Sequence, residues 1–151
     1  MYENIDQEII NVLLEDGRAS LRQIAEETDV SVTTVSNHLE QLQEDGVLTG
    51  FSPDINYGEL GYDVTGIMQV RIDGEGIGAF TDDVHEQPQF ISVHEVTGDY
   101  DVHIIGKFKD TDGMNNHIKD LLNHPAVEDV NTSVVLSTEK DNQQFELTVD
   151  E

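Results

Sequence analysis

Thr33, Asn37 and Gln41 recur at a spacing that places them along one side of a helix, with Ser36 at its edge, and all four carry only hydroxyls or amides. Such groups can address base edges, because an asparagine amide pairs with adenine and a threonine methyl meets the thymine methyl. Glu40 shares that side, Thr34 lies at its edge, and Val35, Leu39 and Leu42 repeat opposite at i, i+4 and i+7. A small polar outward face of this kind can lie in a DNA major groove. Arg18 and Arg22 are the two basic residues of the first fifty, against eleven acids. Phosphate contact and a solvated face both suit them, and the sequence leaves the two readings open.

Histidine supplies a second constellation. A hairpin turn centred on Gly98 and Asp99 would set His94 opposite His103 on neighbouring strands, with Glu95 or Asp101 nearby to help hold a divalent cation. Glu95 points to the other face from His94, however, and two ligands do not make a site. No metal site is therefore expected, His94 and His103 remain the candidates, and polar residues at a subunit interface are the plainer reading. Catalysis is not expected either. The 32 acids make chance proximity common, no spacing singles out a pair, and glycine-rich phosphate loops, GxSxG and HExxH are missing. The lack of cysteine excludes disulfides, thiolate metal sites and cysteine nucleophiles.

The elements that must position these residues announce their own ends. Ser20 with Gln23, and Ser31 with Thr34, are helix-start signals, and Gly46 is a stop, so residues 20–46 read as two short helices about a tight turn. Residues 4–16 form an earlier helix, capped by Asn4 with Gln7, lined by Ile9, Ile10, Leu13 and Leu14 and stopped by Gly17. Three helices complete a core that two cannot. Beyond an extended stretch at 47–55 and turn residues at 56–61, a strand-helix-strand pattern occurs twice: strands at 64–72, 90–97, 101–109 and 127–135, helices at 79–86 and 111–122. This is the ferredoxin-like βαββαβ plan, α+β in class, with both helices on one face of an antiparallel sheet. The uncovered face also carries apolar residues, such as Ile105, so it is expected to pack on another subunit. The expected divisions are a helix-turn-helix domain at 1–50, a linker strand and hinge at 51–63, the ferredoxin-like domain at 64–138, and a tail at 139–151. There Phe145, Leu147 and Val149 could add a strand.

Composition supplies one anomaly. Thirty-two acidic against seven basic residues leave a net charge of −25 with histidine neutral. Acids scattered through every segment resemble the proteins of salt-accumulating halophilic archaea, where molar salt cuts the Debye length to about 3 Å. No run of about 18 apolar residues and no basic-then-apolar leader occur, so a cytoplasmic protein without a membrane partner is expected.

The order of a first helix, a helix-turn-helix ending in LEQLQEDGVLTGF, then GYDV, HEVTGDYDVHIIGKF and HPAVEDVNTSVV resembles the Lrp/AsnC (feast/famine) transcription regulators across about residues 4–138. The resemblance implies a winged-helix-like DNA-binding domain with double-stranded DNA as partner. It also implies a second domain that dimerises, assembles into octamers or other multimers, and binds a small effector, usually an amino acid, with no other cofactor. Gly98, Asp99, Tyr100 and Asp101 match the family's effector loop, and Thr132 and Ser133 fall where its last strand often carries hydroxyls. Ser31 and His38 join Arg18, Arg22, Thr33, Thr34, Ser36, Asn37 and Gln41 as the implied DNA contacts. Relatives usually carry arginine at His38 and basic residues at Glu40 and Gln41, so this reading helix lacks a fixed positive charge. The mechanism implied is a population shift: an effector that favours one assembly changes how many reading helices reach the duplex. A sensor that binds DNA poorly alone and acts through paralogues is the alternative.

Overall fold

The computed structural model describes residues 3–149, and the chain divides into two compact units, one of residues 1–54 with 140–151 and the other of residues 55–139. In the first unit, α1 (Asn4–Glu15), α2 (Leu21–Thr28) and α3 (Val32–Glu44) enclose Ile9, Ile24, Ala25 and Val35. The two isoleucines and the valine so buried contribute about 1.5–3 kcal/mol each. Ser20 Oγ accepts the Gln23 N–H at 3.1 Å, and Ser31 Oγ accepts that of Thr34 at 3.1 Å, so two of the three caps are those expected. The cap of α1 differs. Glu3 is its N-cap and forms a capping box with Asp6, while Gln7 leaves its Oε1 buried without a hydrogen-bond partner. A carboxylate at the third helical position outcompetes the longer amide for the free N–H groups. At the far end of α3, Gly46 takes a φ of +73°. Its N–H donates to the Gln43 carbonyl and that of Val47 to the Leu42 carbonyl, a Schellman motif.

Two expectations fail, that of a linker strand and that of a strand in the tail. Residues 47–56 form no strand, whereas the turn expected at 56–61 is present as the 3-10 turn Tyr57–Leu60, ended by Gly61 at φ +87°. The tail likewise adds no strand over its described residues. Asn142 at φ +43° interrupts any extended run, and Leu147 is held by a side chain instead of a sheet edge. Its N–H donates to Asn11 Oδ1 at 2.8 Å and its carbonyl accepts from Asn11 Nδ2 at 2.9 Å.

In the second unit, β1 (Val64–Ile72), α4 (Ile77–His85), β2 (Phe90–Glu95), β3 (Val102–Phe108), α5 (Thr111–Asn123) and β4 (Val127–Val134) follow in order. The sheet runs β2-β3-β1-β4 with every neighbouring pair antiparallel. Alternation along β3 is strict, with Val102, Ile104 and Phe108 buried and His103, Ile105 and Lys107 on the other face. Met68, Val70 and Ile72 join the buried set and pack on Phe80 and Val84 of α4 and on Met114 and Leu121 of α5. Gly106 makes room for this layer: a Cβ there would lie 2.5 Å from Phe108 Cζ.

Candidate nucleic-acid interface and ligand loop

The buried stripe of α3, Val35 and Leu42, fixes which of its side chains look outward. Thr33, Asn37, Glu40 and Gln41 are exposed, and Ser36 is half-buried beside them. Other members of the expected contact set are engaged inside the domain. Ser31 and Thr34 share the N-cap, their hydroxyls 2.8 Å apart, and Gln41 Nε2 donates to Asp45 Oδ1 at 2.8 Å. His38 lies on the inner flank of α3, where its Nδ1 is 2.7 Å from Asp6 Oδ1. Asp6 is the one charged residue fully buried in the unit among the described residues, so His38 braces α3 against α1. Thr33 and Asn37 are therefore the freest groups on the outward face. Arg18 and Arg22 are exposed and, among the described residues, have no ion-pair partner.

At one end of the sheet, residues 98–101 form a loop fastened on three sides. Gly98 turns the chain at φ +110°, a conformation that side-chain-bearing residues rarely adopt. The Asp101 carboxylate accepts the Ile72 N–H at 2.8 Å, while the Asp101 N–H donates to the Val70 carbonyl at 2.9 Å. Tyr100 donates its hydroxyl to Asp129 Oδ2 at 3.2 Å, and Arg71 lies over the Tyr100 ring at 4.9 Å. Arg71 Nε also donates to the Asp99 carbonyl at 3.2 Å, and its Nη1 is 3.9 Å from Asp129 Oδ2. Asp101 and Tyr100 are thus held in place, whereas the exposed Asp99 carboxylate has no partner among the described residues.

Arg71 and Asp129 were missed from the sequence. A signal existed, since Arg71 is one of only seven basic residues and falls at an outward position of β1. The pair of hydroxyls on β4 needs correction. Thr132 pairs with Met68, whose side chain is buried against the helices, whereas Ser133 pairs with Ile67 on the open face. Adjacent strand residues point to opposite faces, so the two cannot serve one cleft together.

His94 and His103 do stand opposite one another in the β2-β3 register. His103 Nε2 is 2.9 Å from Gln69 Nε2, and no group of three or more metal-ligating side chains forms among the described residues. No helix among those residues is long and apolar enough to cross a membrane.

Residues 3–49 match the winged helix-turn-helix DNA-binding family and residues 65–145 match the Lrp/AsnC ligand binding domain. An HTH-type transcriptional regulator of Pyrococcus abyssi is 38% identical over 97% of this chain and 99% of its own. Among solved structures, a transcriptional regulator from Neisseria meningitidis, crystallised as its L-Met complex, superposes with a TM-score of 0.90. It is 23% identical, with 99% of this chain and 98% of that one covered. Escherichia coli AsnC superposes at 0.86 with 20% identity, covering 93% and 96%. The chain therefore belongs to the DNA-binding transcriptional regulators of the Lrp/AsnC family, with a winged helix-turn-helix domain followed by a ligand-binding domain.

Proposed function

We propose that this regulator selects DNA sites through Thr33, Asn37, Ser36 and Gln41 and responds to an amino acid received at residues 98–101. The observation that carries the effector reading is the contrast within the loop, where Asp99 keeps a free carboxylate while its neighbours are tied down. A free carboxylate beside backbone donors suits an ammonium and a carboxylate on one small molecule. The L-Met complex of the Neisseria regulator supports that chemistry by analogy of fold. Binding shifts the population of assemblies, homodimers that build into octamers or other multimers, and so changes the number of reading helices on the duplex. The net charge of −25 supports a cytoplasm of high salt, of the haloarchaeal type.

A thermal-shift screen of the twenty amino acids at high KCl tests the effector reading. A true ligand raises the melting temperature in step with its saturation, and Asp99→Asn removes the rise. No shift with any amino acid would sink it. The missing lysine and arginine on α3 favour one second reading, a sensor that acts through paralogous subunits. That reading gains if the full chain binds no specific site at any KCl concentration.

A further inference from the structure

The reading helix is graded in charge along its length. Two neighbouring ridges of α3 run outside its buried stripe, each spaced four residues apart. One carries Thr33, Asn37 and Gln41 and ends at the cap, Asp45; the other carries Val32, Ser36, Glu40 and Glu44. Both begin neutral and end acidic. No carboxylate stands between Asp29 and Glu40, although the chain has 32 of them. The first turn of a helix is where an acid is most favourable, beside the free N–H groups. Helices α1 and α5 place Asp6 and Asp112 there, and α3 places none.

A carboxylate brought against a duplex faces its phosphates and loses water without compensation. The gradient therefore decides which end of α3 approaches: the N-terminal turns enter and the acidic end stays outside. Dimensions agree with this. At about 1.5 Å of rise per residue Glu40 stands about 12 Å along the axis from Val32, more than the major groove's depth of about 8.5 Å. In helix-turn-helix readers it is the N-terminal residues of the second helix that touch base edges.

Val32 is the first residue of that helix and has no task inside the domain. Val30 before it and Val35 after it join the core of the unit, while Val32 is left outside at 44% exposed. Its neighbours Ser31 and Thr34 spend their hydroxyls on the cap. A β-branched residue gains nothing there for the helix itself. Valine offers no donor or acceptor, so the one base-edge feature of the major groove that it can meet is the thymine C5-methyl. We propose that Val32 is a specificity-determining residue that packs on a thymine methyl at the tip of the reading helix, with Thr33 and Asn37 beside it. The proposal rests on the base-reading role given to α3 above. Such a contact displaces no counterion, so it holds in salt that removes ionic attraction.

The test uses the full chain and a site that it selects from random duplexes at about 1 M KCl. Each thymine of that site is replaced in turn by deoxyuridine, which keeps the base pair and lacks the methyl. For the parent, one replacement is expected to weaken binding about three- to tenfold, by the same factor at about 0.5 M and about 2 M KCl. Val32→Ala, which removes both γ-methyls from an exposed position, should bind the thymine duplex less tightly and show less than about a twofold penalty for the same replacement. A variant whose helix was merely loosened would lose affinity for every duplex alike and keep the uracil penalty in full, and that result overturns the proposal. So does a parent that is indifferent to every thymine methyl. A random pool that yields no preferred site overturns the base-reading role of α3 as a whole, whereas a clear site with a uracil penalty independent of Val32 overturns the assignment of Val32 alone.

Discussion

The outward side of α3 and the open face of the sheet are both polar surfaces with helices packed behind them, yet they treat charge in opposite ways. On α3 a glutamate sits among neutral amides and hydroxyls, and no lysine or arginine offers itself to a phosphate. On the sheet, Arg71 and Lys107 outnumber Asp129 in a chain where acids outnumber bases by 32 to 7. A surface that stays wet can carry excess negative charge when salt screens it. One that is to be covered cannot, because each unpaired carboxylate would be stripped of water without compensation. The difference is the one expected between a surface that meets a hydrated, already charged polymer and one that packs on another subunit.

The largest break in that contrast should come from a charge placed on the covered side. Ile105→Glu puts an unpaired carboxylate at the centre of the sheet face and is expected to cost about 3–5 kcal/mol of self-association. Sedimentation should then show mostly monomer at concentrations where the parent is assembled, with the helix content unchanged. Asn37→Ala on α3 should leave assembly alone and cost about 1–3 kcal/mol of discrimination at an adenine, read as relaxed site preference in gel shifts at high KCl.

The fastening of residues 98–101 comes next. Asp101→Ala removes a charged acceptor from the Ile72 N–H and should cost about 1–3 kcal/mol in unfolding of the second unit, along with the amino-acid response. Ser31→Ala should cost about 1 kcal/mol of helix-turn-helix stability by loss of the cap, without altering which bases are preferred. The smallest effect is expected from Arg18→Gln with Arg22→Gln. In molar salt these two exposed cations should add little, so site affinity should fall less than about threefold, whereas at low salt the loss should be larger.

The sequence made the periodic parts of this molecule readable and left the contingent ones dark. Serine caps at Ser20 and Ser31, the glycine stop at Gly46 and the strict alternation along β3 are set by neighbours within a few residues. The same holds for the pairing of His94 with His103, because Gly98 fixes the turn and the turn fixes the register. Failures appear where a choice depends on one residue of offset or on a distant partner. Thr132 and Ser133 were grouped although a strand sends neighbours to opposite faces, and only the pairing of Thr132 with buried Met68 shows which went inward. The tail alternates like a strand, but its Leu147 found the amide of Asn11, 136 residues away in sequence. In the loop, Asp101 and Tyr100 are fastened by Ile72, Asp129 and Arg71, which lie on other strands, so local spacing could not tell that Asp99 alone would stay free.

The claim on which the rest depends is that sites are chosen by neutral groups on α3 and held by numbers of linked domains, with ionic attraction playing a minor part. Affinity of the full chain for a specific promoter fragment, measured across a range of KCl, tests it most directly. The expected result is specific binding that persists into molar salt, with log K falling by less than about 2 per log unit of KCl. A steep fall, of the size that six or more neutralised phosphates would give, or no specific binding at any salt, would contradict it.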